Sequence, residues 1–259
     1  MDMDYPNLIQ QEIRNRFKDN PSFWSVEADV QNWLSHKLLE ELDNSDCKLE
    51  IVFPDGESSH RIQYKSEELD EEIQKRVKDS DNPEKRVINE LTLVGNKDTK
   101  NREKFDIGVM KNNQIKIEME NGTKKYREQD LEALFELKFI KNDHYYKLFA
   151  GDIEDQNMSD FTSTDGNIED RVDEIVSRLD EETDDYGFIK DIRNLDSTDV
   201  DNTHFILISN YDILYQRKEQ QYTDSKHKED VYRAIGERVK EELENRSKGT
   251  NIHYIHPYS

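Results

Sequence analysis

The chain has 259 residues, with 37 Lys and Arg against 59 Asp and Glu, a net charge of −22, 33% apolar residues and 37% charged ones. That length suits one generous domain, and twelve Tyr, ten Phe and two Trp are enough to anchor a core. With no run of 18 apolar residues, no charged-then-apolar leader and a single Cys47, the sequence excludes membrane-spanning, secreted, disulfide-bonded and cysteine-zinc classes, and a cytoplasmic protein is expected.

In chain order, residues 5–18 (YPNLIQQEIRNRFK) predict a helix with Leu8, Ile9, Ile13 and Phe17 on one side. Ser25 is placed to cap a second helix, VEADVQNWLSHKLLEEL, whose apolar stripe runs through Val26, Val30, Trp33, Leu34, Leu38 and Leu42. Glu27 falls within that stripe and points inward. KLEIVF (48–53) and HRIQY (60–64) predict a hairpin, followed by a polar helix over 66–78. Strands are expected at RVINELTLV (86–94), KFDIGVM (104–110), QIKIEME (114–120), ALFELKFI (133–140) and HFILISN (204–210). A helix is expected over 168–182, another over KHKEDVYRAIGERVKEELENR, and a closing strand at NIHYIHPY. Loops or insertions are expected at Asp79–Glu84, Gly95–Arg102 and Asp152–Gly166. This order is that of a mixed α/β protein with a central sheet apolar on both faces.

The charge is uneven. Gly151 to Asp201 carries 18 acids and 4 bases, whereas Lys97 to Arg127 carries 9 bases and 5 acids. The acidic run lacks the Gly and final Glu positions of an EF-hand and reads as a solvated face. An acidic surface ordinarily repels nucleic acid, but at molar salt the Debye length falls to about 3 Å and contact pairs survive. The composition suits a halophile, although Lys (23) outnumbers Arg (14).

Chemistry is concentrated where charge interrupts apolar strands. Glu136 and Lys138 are two apart, so strand alternation puts them on one face, with Phe135, Leu137 and Phe139 on the other. Asp106 breaks a second apolar strand between Phe105 and Ile107. Buried charges are expensive unless paired or bound to metal. Carboxylates from Asp106 and Glu136 suit Mg²⁺, which keeps positions for water and a phosphate oxygen. Lys138 beside them suits orienting or deprotonating a water, or electrostatic stabilisation. The basic stretch around Asp106 suits phosphate contacts.

KFDIGV, FELKF, the EADVQ helix and the FILISN strand together resemble the PD-(D/E)XK nucleases of the restriction-endonuclease-like fold, over residues 25–257. The resemblance implies an α–β–β–β–α–β core, a mixed central sheet flanked by helices, with an acidic insertion and an extra hairpin arm at QIKIEMENGTKKY. It implies an N-terminal helical extension over 1–24 and a single nuclease-like domain over 25–259. It implies Asp106 and Glu136 as ligands of Mg²⁺ (or Mn²⁺), Lys138 as the catalytic lysine, and Glu27 and Glu90 as further acids that some branches carry. Phe105 stands where the family's proline often sits, and 30 residues separate Asp106 from Glu136, leaving room for the arm.

The expected function is metal-dependent cleavage of phosphodiester bonds, of DNA, in genome defence or repair, with a homodimer as one possible assembly. The alternatives are a catalytically silent nuclease-fold DNA-binding or scaffold subunit, and an acidic protein-interaction module built on 151–201. No Walker loop, G-x-S-x-G or dinucleotide fingerprint is present, so no nucleotide cofactor is expected. His253 and His256 are three apart, on opposite faces of a strand, which argues against a metal role for that pair.

Overall fold

A computed structural model describes residues 3–16, 26–42, 46–52, 83–94, 104–111, 114–120, 123–140, 188–209 and 225–255. The expected helices at 66–78 and 168–182, the strand at 60–64, Ser25 and His256 lie outside these residues. The elements are α1 (Tyr5–Leu8), a π-helical segment (Ile9–Arg14), α2 (Glu27–Glu41), β1 (Asp46–Val52), β2 (Pro83–Lys85), β3 (Val87–Thr92), β4 (Lys104–Met110), β5 (Gln114–Glu120), β6 (Thr123–Tyr126), a 3₁₀ turn (Glu128–Asp130), β7 (Leu131–Ile140), α3 (Phe188–Asp196), β8 (Asn202–Ser209), α4 (Ser225–Arg246) and β9 (Asn251–Ile255). Among the described residues no helix is long and apolar enough to cross a membrane.

The strands form a four-stranded sheet, β2-β1-β5-β6, and a mixed five-stranded sheet in the order β3-β4-β7-β8-β9. β5 and β6 form the expected hairpin, β1 runs parallel to β5, and Asp46–Lys48 pair antiparallel with Pro83–Lys85. By internal contacts the chain forms two compact units. The first comprises Met1–Val30, Glu136–Ser197 and His204–Ser259; the second comprises Gln31–Phe135 and Thr198–Thr203. The boundary falls inside α2 and inside β7, so each of these elements contributes to both.

In the second unit β3 and β4 pair antiparallel, with Asn89 opposite Ile107 and Leu91 opposite Phe105. Gly108 allows this close approach, since a Cβ there would collide with the buried Leu91 side chain. Ile107 pairs with Phe135 across to β7, and the register shifts between Val109 and Met110. Arg86, buried at the start of β3, fixes that irregular stretch by donating to the Met110 carbonyl at 2.8 Å and to the Glu132 carboxylate. Leu91, Phe105, Ile107, Val109, Leu131, Ala133 and Phe135 supply the core.

In the first unit β8 and β9 run parallel, with His204 opposite Asn251 and Ile206 opposite His253. Phe205–Ile208 are all buried, so β8 is apolar on both faces, as a central parallel strand must be. Phe188, Ile189, Ile192 and Leu195, spaced for one helical face, bury α3, and the Phe188 ring packs edge-on against Phe205. Asp196 at the end of α3 accepts from Lys248 N, Thr250 N and Thr250 Oγ1 at 2.8–3.0 Å, which fixes the turn between α4 and β9. Tyr5, Ile9 and Ile13 are buried with this unit, so the N-terminal residues form part of its core.

Candidate active site

β7 alternates as its sequence dictates. Phe135, Leu137 and Phe139 are buried on one face, while Glu136 and Lys138 share the other. In the first unit the Lys138 ammonium donates to Glu136 Oε1 at 2.8 Å and pairs with Asp191 Oδ2 of α3 at 2.9 Å. All three side chains are largely sheltered, at 21%, 11% and 19% exposure for Lys138, Glu136 and Asp191. Burial alone would push the Lys138 pKa down. The two carboxylates outweigh it, by charge and by hydrogen bonding, and raise the pKa well above the ordinary lysine value. Lys138 is therefore a firmly protonated cation, suited to electrostatic stabilisation and poorly suited to giving up or taking a proton.

Glu27, in the first turn of α2, reaches the same strand one residue further on, where its Oε2 accepts from the Phe139 N–H at 3.2 Å. It is half-buried. Four residues, Glu27, Glu136, Lys138 and Asp191, thus gather along the C-terminal half of β7. Asp191 is absent from the sequence-level set, because it lies within an acidic run read as a solvated face. The signal that would have found it is the apolar spacing of FIKDIRNLD, which buries one side of α3 and holds Asp191 half-buried.

The other two expected residues belong to the second unit. Asp106 is half-buried on β4, and its main-chain carbonyl accepts from Gln31 Nε2 at 2.6 Å. The same amide donates to Glu90 Oε1 at 3.3 Å, and Lys104 pairs with the Glu90 carboxylate. Lys104 is also the leading cause that holds the Glu90 pKa below the usual carboxylate range. Glu90 adopts φ 56°, a left-handed conformation costly for a residue with a Cβ. It interrupts the β3–β4 ladder between the Asn89 and Leu91 pairs. Backbone outliers of this kind persist where the surroundings over-determine them, and they cluster at functional sites.

Among the described residues no group of three or more His, Cys, Asp or Glu is assembled to hold a metal ion. The donor set still fits a hard cation. Mg²⁺ is commonly held by one or two carboxylates, its remaining positions going to water and phosphate oxygens. Glu136 and Asp191 both reach one ammonium, so their engaged oxygens lie no further apart than the sum of two hydrogen-bond lengths. A divalent ion placed there would have to compete with the Lys138 ammonium for both carboxylates.

The chain matches no protein-family model, no curated protein and no solved structure.

Proposed function

We propose that the protein is a Mg²⁺-dependent nuclease of the PD-(D/E)XK type acting on DNA, with a restriction-endonuclease-like core. The observation that carries this reading is the acid–lysine–acid cluster of Glu136 and Lys138, on an otherwise apolar strand, with Asp191 of α3. Its cost in desolvation has a reason if the cluster serves phosphodiester chemistry. The mixed five-stranded sheet with flanking helices supports the same reading.

In this mechanism a water, giving up a proton to bulk solvent, attacks phosphorus in line with the departing sugar oxygen, the P–O bond to that oxygen breaks, and the oxygen takes up a proton from solvent. Bound Mg²⁺ would lower the pKa of water and neutralise charge on the phosphate. Glu136 is its proposed first ligand, with Asp191 as a second carboxylate in the same unit and Asp106 as the ligand the family resemblance implies. Lys138, an ammonium at neutral pH, stabilises the charge that develops on the phosphate oxygens. Glu27 fixes the backbone at Phe139 and so the direction in which Lys138 projects. Glu90 and Gln31 hold the β4 backbone at Asp106. Lys104 and Lys111, in the basic stretch, suit contacts with phosphates.

The test is cleavage of plasmid DNA at high salt with Mg²⁺ or Mn²⁺. Wild type is expected to cut, and Lys138→Ala and Asp106→Ala to lose activity at least about 100-fold. Intact cleavage in either variant overturns the mechanism. One observation favours a second reading, a catalytically silent DNA-binding subunit: the Lys138 ammonium is already satisfied by two carboxylates, as in a purely structural ion cluster. DNA binding without hydrolysis under both metals would select it. The third alternative rests on 151–201, of which residues 151–187 lie outside the described structure.

A further inference from the structure

We propose that a cavity in the first unit, unrelated to the nuclease reading, binds a small organic oxyanion, a phosphate monoester or a carboxylate. The cavity holds about 200 Å³ and is walled by the π-helical segment, α4 and β9. That is room enough for an anionic group on a compact body.

Three nitrogen-bearing side chains converge on it. Arg14 is exposed and pairs with no carboxylate among the described residues. Lys240 pairs with Glu244 at 3.3 Å, but both are 40–50% exposed, and so open an ion pair is weak enough for a ligand to displace. His253 is 7% exposed, and its Nε2 is hydrogen-bonded to His204 Nδ1 at 3.1 Å, which leaves Nδ1 for a ligand. In the tautomer in which His204 Nδ1 donates, His253 carries its proton on Nδ1 and offers a neutral donor.

The backbone builds the same place. Ile9 and Arg14 both line the cavity, five residues apart. An α-helix would set them about 140° apart, whereas the wider turn of a π-helix, closed by i→i+5 hydrogen bonds, brings them closer to one side. Such segments are rare and are found frequently at functional sites. Across the cavity, Gly236 of α4 adds no side chain to the wall and so preserves depth. Ile252 and Ile255 provide an apolar flank for the body of the ligand. Glu237 stands on the same wall, which disfavours polyanions such as DNA and selects a single anionic group.

The test is calorimetric titration of the intact chain in high-chloride buffer with inorganic phosphate, phenyl phosphate and benzoate. Phenyl phosphate or benzoate is expected to bind more tightly than inorganic phosphate; the better of the two identifies monoester or carboxylate as the natural chemistry. Arg14→Gln and Lys240→Gln are each expected to weaken binding about tenfold or more, the scale of a lost charge-assisted hydrogen bond. Gly236→Leu, which fills the cavity and leaves its charges, should abolish binding. Arg14 is exposed, so its variant keeps the fold and decides the matter even if Gly236→Leu does not. DNA cleavage should be unchanged in Arg14→Gln, which separates this site from the nuclease reading. No binding of any probe at millimolar concentration, or wild-type binding by Arg14→Gln, overturns the proposal.

Discussion

Two polar clusters lie inside the first unit, and they solve the problem of burial in opposite ways. At Glu136, Lys138 and Asp191, charge is retained because opposite charges stand within hydrogen-bond distance. At His204 and His253 charge is shed. Burial first, and for His253 also the Lys240 ammonium, push these imidazoles down to about 3 and 4, so both are neutral at pH 7. The rings sit 5.4 Å apart, with Tyr5 against His204. The histidine pair shows that this unit can bury polar side chains without ions. Keeping an ammonium between two acids on the neighbouring strand β7 is then a choice that packing alone does not require, and it directs attention to chemistry at β7.

The sharpest way to break the comparison is Lys138→Met. If the cluster is charge-balanced as described, removing the ammonium leaves two sheltered carboxylates facing one another. Denaturant unfolding should register a loss of about 3–5 kcal/mol, and cleavage should disappear. A variant as stable as wild type would show that the acids do not need the cation.

The second effect is pH. A histidine whose folded pKa lies below its unfolded value near 6.5 contributes fully above that value, and the contribution is lost as pH falls toward the folded pKa, because only the unfolded chain takes up the proton. Stability should fall by about 2–4 kcal/mol between pH 7 and pH 5 on account of this pair. His204→Asn with His253→Gln should flatten that slope in thermal unfolding followed across the range. Lys138 behaves in the reverse sense. Its raised pKa stabilises below the unfolded value near 10.4 and is lost only as pH rises through the folded value, so it adds no slope between pH 5 and 9.

Asp191→Asn sharpens the distinction between structure and chemistry within the charged cluster. Lys138 retains Glu136, so the expected stability loss is about 1 kcal/mol. Mg²⁺ affinity by calorimetry should drop at least about tenfold if Asp191 is a ligand and stay unchanged if it serves only Lys138. The same titration on Asp106→Asn weighs the two acids against each other. The smallest effect belongs to Glu90→Gly, which relieves a left-handed backbone and loses an exposed ion pair with Lys104 and the long hydrogen bond from Gln31. A gain of about 0.5–1 kcal/mol is expected together with reduced cleavage, the mark of a residue retained for something other than stability.

Much of this architecture was readable from hydrophobic pattern. The apolar runs at 86–94, 104–110, 133–140 and 204–210 become β3, β4, β7 and β8, and the stripe through Val30, Leu34 and Leu38 buries one face of α2. The pairing of Glu136 with Lys138 followed from alternation. What escaped reading depends on partners distant in sequence. β2 is three residues beginning with Pro83, within a segment that reads as a loop, and forms by pairing with β1. The interruption at Glu90 carries no Gly to announce it. His253 was compared with His256 along one strand, whereas its partner, His204, sits 49 residues away on β8. Asp191 was hidden by the charge of its surroundings, which masked four apolar residues at helical spacing.

Asp196 gives the fold a vulnerability as well as a fastening. β9 closes one side of the five-stranded sheet, and the turn that delivers it is held by that carboxylate together with the Ser247 hydroxyl, which donates to the Thr250 carbonyl at 2.9 Å. Should the turn loosen and β9 detach, β8 becomes the margin of the sheet. Its unpaired amides and carbonyls, flanked by Phe205–Ile208, would offer a ready template to a strand from another molecule. A helix-end carboxylate that precedes β8 by only a few residues thus helps keep that strand covered.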